Sequence, residues 1–377
     1  MTTDSTPQSQ ASPTIRIGML RLTDAAPVVM ALERDFFASA GLQVQLCVEP
    51  SWANIADKLS FGHLDAAVML PPLALAMAAG LRGIPSPIIV PMGLSLNGNS
   101  VTVNHEIADA IDADNLGAME VGRKLRLWLK KQTRRPRFAV VHIFSTHNLL
   151  LRYWLASAGI DPNNDVEITI LPPADTARAL KLGKIDGFCA GAPWGSVAGA
   201  SGAGRTILVS SEIWCNHPEK CLAVGRFAQR QPQVLSRVLK ALLEASKYCD
   251  DPRNAAEIAA VLGRPEYLDV APAFIQASLP SSTPVAPALR GDVDRSAFAA
   301  HGANIPSRAH GLWFLSQMTR WGNLSPGTDT AALVDAVYRP DLMQSVVGGE
   351  REPERFCDGA AFDPENTTLI IQRREPQ

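Results

Sequence analysis

The feature that most constrains this chain is an echo. A helical stretch runs through Gly62 into the strand-like Leu64-Asp65-Ala66-Ala67-Val68-Met69, and another, Ala174 to Leu182, runs through Gly183 into Ile185-Asp186-Gly187-Phe188-Cys189-Ala190. Each echo closes a strand-helix-strand unit. In the first, Ile15 to Leu20 alternates into an apolar run, Thr23-Asp24 offers a helix N-cap, and Ala25 to Phe37 has helical apolar spacing. Leu42 to Leu46 then alternates strictly, and Ser51 can cap a helix from Trp52 to Phe61. The second unit has a strand at Phe138 to Ile143, a helix from Leu149 to Ala158 stopped by Gly159, and a strand at Val166 to Leu171. Repeated units of this kind imply an α/β fold with mainly parallel sheets in two similar lobes. Ligands of such a bilobed clamp sit in the cleft, at the carboxyl ends of strands and at helix N-termini.

Beyond the echo, Pro232 to Leu262 reads as amphipathic helix and Ala309 to Trp321 as another, whereas the Pro- and Ala-rich stretch from Arg264 to Ser307 carries no clear period. The expected division is a tail over residues 1–13, a discontinuous first lobe of 14–100 plus 216–350, a second lobe of 101–215, and an extension of 351–377 ending in an extended tail. A chain of 377 residues with 46% hydrophobic composition is long enough to bury a core in both lobes.

Charge and targeting signals narrow the function. The 35 Lys+Arg nearly cancel the 37 Asp+Glu, so no strong positive field exists to hold nucleic acid directly. The opening MTTDSTPQSQASPT has neither a basic start nor an apolar run, so it reads as a disordered polar tail, and a cytoplasmic location is expected. No stretch approaches the roughly 20 apolar residues that cross a bilayer; Leu64 to Leu81 is interrupted by Pro71, Pro72 and Gly80. The six cysteines are scattered without a CxxC pair. Cys215 and Cys221 flank Asn216-His217-Pro218-Glu219-Lys220, a spacing open to a metal reading, though thiols without metal are the simpler one.

Several short blocks carry a resemblance. Leu22-Thr23-Asp24-Ala25-Ala26-Pro27, Glu49-Pro50-Ser51-Trp52-Ala53-Asn54-Ile55, Leu94-Ser95-Leu96-Asn97-Gly98-Asn99, Arg152-Tyr153-Trp154-Leu155-Ala156, Asp186-Gly187-Phe188-Cys189, Asn216-His217-Pro218-Glu219-Lys220 and Gln317-Met318-Thr319-Arg320-Trp321-Gly322 run in order across most of the chain. In these the chain resembles the nitrate-binding proteins of the periplasmic-binding type, a family that includes nitrate- and bicarbonate-binding proteins and cytoplasmic nitrate/nitrite sensors of the NasS kind. The resemblance implies a bilobed, type II periplasmic-binding-protein-like clamp.

It also implies an anion site made of Trp52, Asn99, His147 and Lys220, with no metal and no cofactor. Relatives often carry the longer Gln where this chain has Asn99, so its reach differs by one carbon. Elementary chemistry asks for such a set: nitrate is a flat monovalent oxyanion that must be compensated when taken from water. Lys220 would bring the charge, His147 and Asn99 directed N–H donors, and Trp52 an indole N–H and a flat wall. Each residue also has a plainer reading. Trp52 suits a core, Lys220 a solvated surface, His147 an N-cap cluster with Ser145 and Thr146, and Asn99 a turn beside Gly98. In the bicarbonate-binding branch an acidic residue and calcium stand at the place of Lys220, so Lys220 favours nitrate or nitrite.

The function that follows from the resemblance is a sensor rather than an enzyme. Such a protein holds an ANTAR-type RNA-binding antiterminator of the NasT kind until nitrate or nitrite closes the cleft, and so controls nitrate assimilation genes. Two other classes stay open: a nitrate or bicarbonate substrate-binding component of an ABC transporter, and a clamp-fold enzyme of the thiamine-pyrimidine synthase type. The enzyme would need a cofactor lysine and a histidine-rich iron site, and the seven histidines are scattered. No P-loop or HExxH wording is present, and Gly117 to Gly122 is not a phosphate loop.

Overall fold

The computed structural model describes residues 14–281, 295–344 and 355–360. Two five-stranded sheets organise them. The first contains β1 (Ile15–Met19), β2 (Val44–Val48), β3 (Ala66–Met69), β4 (Ile89–Leu96) and β10 (Pro218–Val224), in the order β2-β1-β3-β10-β4. The second contains β5 (Asn99–Val103), β6 (Arg137–Val140), β7 (Glu167–Ile170), β8 (Gly187–Gly191) and β9 (Arg205–Val209), in the order β7-β6-β8-β5-β9. The echo seen in the sequence is β3 and β8, each third in its sheet.

The same hydrogen bonds pin both copies. The Arg16 backbone N–H donates to Asp65 Oδ2 at 2.9 Å and its guanidinium reaches the Gly62 carbonyl at 2.9 Å. In the other lobe Arg137 N–H donates to Asp186 Oδ2 at 2.8 Å and its guanidinium reaches the Gly183 carbonyl at 2.9 Å. Gly62 and Gly183 both take positive φ, 76° and 64°, a turn that an L side chain resists.

The sheets are mixed where mainly parallel ones were expected. β1 runs parallel to β2 and β3, but β10 is antiparallel to β3 and β4. Likewise β6 is parallel to β7 and β8, while β5 is antiparallel to β8 and β9. The reason is the crossovers. The chain leaves the first sheet through Asn97-Gly98 and returns through the residues between β9 and β10, so β5 and β10 enter their sheets from the opposite lobe.

Local expectations hold with informative exceptions. Ser51 caps the helix Trp52–Ser60, its side chain accepting from Asn54 N–H. Thr23-Asp24 is not a side-chain cap: a short 3-10 turn, Thr23–Ala25, leads into the helix Ala26–Glu33, and left-handed Asp35 ends that run before Phe37. Pro71 and Pro72 do not merely interrupt an apolar run; they open the buried helix Pro71–Ala78, where a missing N–H costs nothing. Residues 118–129 form a helix that the sequence reading leaves unassigned. The stretch from Pro232 is two helices, Pro232–Asp250 and Ala255–Leu262, separated by a 3-10 turn at Pro252. The helix expected at Ala309 to Trp321 is Arg308–Arg320. The tail of residues 1–13 and most of the expected extension lie outside the described residues. Within that extension, Phe356 packs on Trp214, with ring centroids 4.9 Å apart, and on Tyr153 at 5.0 Å. Among the described residues no helix is long and apolar enough to cross a membrane.

Candidate functional site

The sequence of β10 sets up the site, and a break in the strand's register aims its side chains. Pro218 pairs with Leu96, Lys220 with Ser95 and Cys221 with Gly93, so the ladder shifts on both sides of Lys220. Such bulges redirect side chains that regular alternation would send to opposite faces. Here Glu219 and Lys220 are both fully buried, and Lys220 Nζ donates to Glu219 Oε1 at 2.5 Å.

The other elements converge on this pair. From the turn after β1, Asp24 Oδ2 lies 2.8 Å from Lys220 Nζ. Asn99, the first residue of β5, donates through Nδ2 to Glu219 Oε2 at 2.6 Å. His147, one residue into the helix Thr146–Ser157 that Ser145 caps, brings Nε2 to 3.4 Å from Glu219 Oε1. Trp52, first in its helix, places its ring 5.5 Å from Lys220 Nζ, a cation–π arrangement. His217 Nε2 shares a hydrogen bond with Ser210 Oγ at 2.7 Å, and its Nδ1 lies 3.9 Å from Glu219 Oε2. The structure thus gathers Trp52, Asn99, His147 and Lys220 into one buried cluster, and adds Asp24, His217 and Glu219.

Two of the plainer readings do not describe this cluster. Lys220 is fully buried rather than solvated, and His147 contributes no cap, since Ser145 does that work. Sequence reasoning missed Asp24 because its position before a helix already had an explanation. It missed Glu219 because alternation would turn one of two neighbouring strand residues away. The available signal was the two acidic residues inside the blocks Leu22 to Pro27 and Asn216 to Lys220.

Burial governs the electrostatics. It works against the Lys220 charge, but Asp24 and Glu219 outweigh it and hold the ammonium above its ordinary range. Burial raises Asp24 against the pull of Lys220. It also pushes Glu219 up to about 7, opposed by Lys220 and assisted by Asp24. His147 is held well below its ordinary value by burial and then by the Lys220 charge, and burial takes His217 down to about 3. Both imidazoles are therefore neutral at pH 7. Trp52 Nε1 and both ring nitrogens of His147 have no hydrogen-bond partner among the described residues. A buried unpaired donor costs on the order of 1–3 kcal/mol, so the indole N–H and the one N–H of the neutral His147 ring are poised for an acceptor.

The metal reading at Cys215 and Cys221 fails on geometry. Cys215 is exposed, whereas Cys221 is buried and directed to the Met69 carbonyl at 3.5 Å. Among the described residues no group of three or more His, Cys, Asp or Glu side chains could hold a metal ion.

The two lobes meet around the cluster. Thr23 N–H donates to the Ala192 carbonyl at 2.9 Å and Trp194 Nε1 to the Arg21 carbonyl at 3.2 Å. A Cβ on Gly191 would meet Leu22 Cδ2 at 3.3 Å and Asn99 Oδ1 and Asp24 Oδ2 at 3.5 Å, so the end of β8 in the second lobe lies directly over the site. A cavity of about 400 Å³ opens between Leu20, Glu49 and Pro50 of one lobe and Pro172 to Asp175 of the other.

Residues 8–263 match the family model described as NMT1-like. The chain belongs to the NMT1-like family. It is 32% identical to the nitrate/nitrite binding protein NrtA of Synechococcus elongatus, an alignment that covers 95% of this chain and 85% of the relative. It is 36% identical to the nitrate import ATP-binding protein NrtC of Synechocystis and to the bicarbonate transport ATP-binding protein CmpC of Synechococcus elongatus. This NMT1-like chain spans 54% of the length of those two relatives while 95% of it is covered. The crystal structure of periplasmic nitrate-binding NrtA from Synechocystis superposes with a TM-score of 0.86 at 28% identity, over 96% of this chain and 98% of that one. The fold is the bilobed clamp of periplasmic-binding-protein type.

Proposed function

We propose that this protein is a clamp that binds nitrate or nitrite between its lobes, in the manner of the substrate-binding component of an ABC import system. The observation that carries the reading is a pair of buried N–H donors without partners among the described residues, Trp52 Nε1 and the protonated ring nitrogen of His147, set beside the buried Lys220. A small flat oxyanion is the acceptor that such a set fits: it presents several weakly basic oxygens in one plane and needs directed N–H groups when taken from water. Lys220 and Asn99 complete the contacts, and Gly191 of the opposite lobe lies over them. Closure follows because the anion touches residues of both lobes, and its differential affinity for the closed form drives the shift.

The likeness to NrtA supports nitrate or nitrite, and the lysine at position 220 favours it over bicarbonate. A binding role also agrees with the names of the relatives, none of which describes the kind of catalysis a clamp-fold enzyme would perform. Isothermal titration with nitrate, nitrite, bicarbonate and chloride tests the reading. Saturable heat for nitrate or nitrite alone is the expected result; saturation by bicarbonate alone, or by none of the four, would overturn it.

The transport role and the sensor role share this site and differ in partner. The relatives' names favour import. The cytoplasmic sensor with its ANTAR-type antiterminator rests on the sequence resemblance, and one assay separates the two. A sensor holds the antiterminator without anion and releases it when nitrate is added, whereas a transport component shows no such complex.

A further inference from the structure

Glu219 does something that the anion reading leaves unexplained. Its Oε1 lies 2.5 Å from Lys220 Nζ and 3.4 Å from His147 Nε2, while its Oε2 accepts from Asn99 Nδ2 at 2.6 Å. Those are three of the four side chains expected to hold the anion. A carboxylate is itself a flat monovalent oxyanion, so Glu219 presents to these groups much the same acceptor that nitrate would. The charges conflict as well. Lys220 is already balanced by Asp24 at 2.8 Å, which leaves an ionised Glu219 as the excess charge of a fully buried cluster. A bound anion would then sit against a second negative group in the same dry space, where two like charges do not both persist.

We propose that Glu219 is the anion's internal competitor: its ionised carboxylate holds Lys220 and Asn99 and stands 3.4 Å from the unpaired His147 Nε2, and nitrate takes over this place as Glu219 takes up one proton. The inference rests on the anion-clamp reading above. The balance is simple. One anion and one proton enter from solvent, no covalent bond breaks, and the new Glu219 O–H becomes a donor to the anion. Glu219 thereby sets both the affinity and the pH dependence of the site.

Among the described residues no neighbour replaces Glu219 in this role. His147, from the helix Thr146–Ser157, and His217, before β10, are both neutral by burial. Cys221 on β10 is pushed up and stays a thiol. His310, from the helix Arg308–Arg320, acts on His217. Asp24, from the turn Thr23–Ala25, is engaged by Lys220. With Glu219 raised to about 7, its proton is the one exchanged near neutrality.

The experiment is nitrate calorimetry on the full chain in two buffers of unlike ionisation enthalpy, at about pH 8 and about pH 5.5, which counts protons linked to binding. The expected count is about one proton taken up per nitrate at the higher pH and close to none at the lower, with affinity falling up to about tenfold per pH unit above 7. Glu219→Gln should bind without linked protons, with an affinity flat in pH and about tenfold tighter than the wild type at pH 8. Nitrate binding to the wild type without proton uptake at the higher pH would overturn the Glu219 proposal and leave the anion clamp standing. So would uptake that survives in the Gln variant, which would move the proton to Asp24. Failure of the wild type to bind either nitrate or nitrite at both pH values would overturn both. The wild-type count decides the matter even if the variant does not fold.

Discussion

Lys220 Nζ sits 2.8 Å from Asp24 Oδ2, joining the turn after the first strand to the last strand of the same sheet inside a fully buried space. The bond ties the beginning of the first lobe to the strand that returns from the second. It also makes Lys220 structural and functional at once, because its ammonium offsets two buried carboxylates before any ligand arrives.

Lys220→Met should therefore lose more than anion binding. Removing one partner of a buried ion pair leaves uncompensated charge, at a cost of about 3–5 kcal/mol. Urea unfolding at pH 7 should show that loss. The gap from the wild type should narrow toward pH 5, where Asp24 and Glu219, both already raised by burial, accept protons more readily. A variant as stable as the wild type at pH 7 would show that the cluster is not held by charge.

Trp52→Phe separates the indole N–H from the packing of the ring. Trp52 Nε1 is buried without a partner among the described residues, so removing it takes away a desolvated donor and leaves the aromatic wall. Stability by urea midpoint should fall modestly, because the cavity left by the smaller ring is only partly offset by removing the desolvated donor. Nitrate affinity should fall about tenfold or more, the worth of a hydrogen bond to a charged acceptor. Equal affinity in the variant would remove Trp52 from the site.

The architecture was largely legible because each lobe repeats one local pattern. The glycine turn and the Asp that follows it are written twice, at Gly62 and Asp65 and again at Gly183 and Asp186, and the hydrogen bonds repeat with them. The antiparallel entry of β5 and β10 was not legible, since neither strand's alternation says which lobe it came from. In the site, Trp52, Asn99, His147 and Lys220 could be named through the family resemblance, whereas their residue types and spacing alone suited plainer roles. Asp24 and Glu219 could not. Their roles arise from a register shift in β10 and from a contact between residues 24 and 220, both of them properties of tertiary structure.

Asp186 should give the acid limb of stability a recognisable component. Burial works to raise its carboxyl, but two hydrogen bonds from Arg134, each 2.7 Å, and the Arg137 N–H outweigh it and hold it below the ordinary range. A carboxylate depressed in the folded state adds stability that is complete above its unfolded pKa of about 3.9 and is lost as pH falls through the lower folded value. Asp186→Asn should thus be less stable than the wild type at pH 7, and the difference should shrink below about pH 4. Urea midpoints from about pH 7 to about pH 2.5 measure it, and a difference constant across that range would contradict the assignment.

The crossover at Asn97-Gly98 makes the last prediction sharp, because the strain and the site lie one residue apart. Gly98 has φ 94°, and a Cβ there would stand 2.7 Å from Ser296 Oγ. Alanine at a positive φ costs more than about 1 kcal/mol even in open space, and here the Ser296 hydroxyl would also have to move. The next residue is Asn99, whose amide reaches Glu219 Oε2 at 2.6 Å, so a shifted turn swings a site residue as well as loosening the passage between the sheets. Gly98→Ala should lower the urea midpoint and weaken nitrate binding together. Gly62→Ala is the matched control: its φ is 76°, nothing lies within 4 Å of the added Cβ, and it is remote from Asn99 in the sequence, so it should lower stability and leave affinity unchanged. If both variants lose stability and neither loses affinity, the crossover holds the lobes together without positioning Asn99.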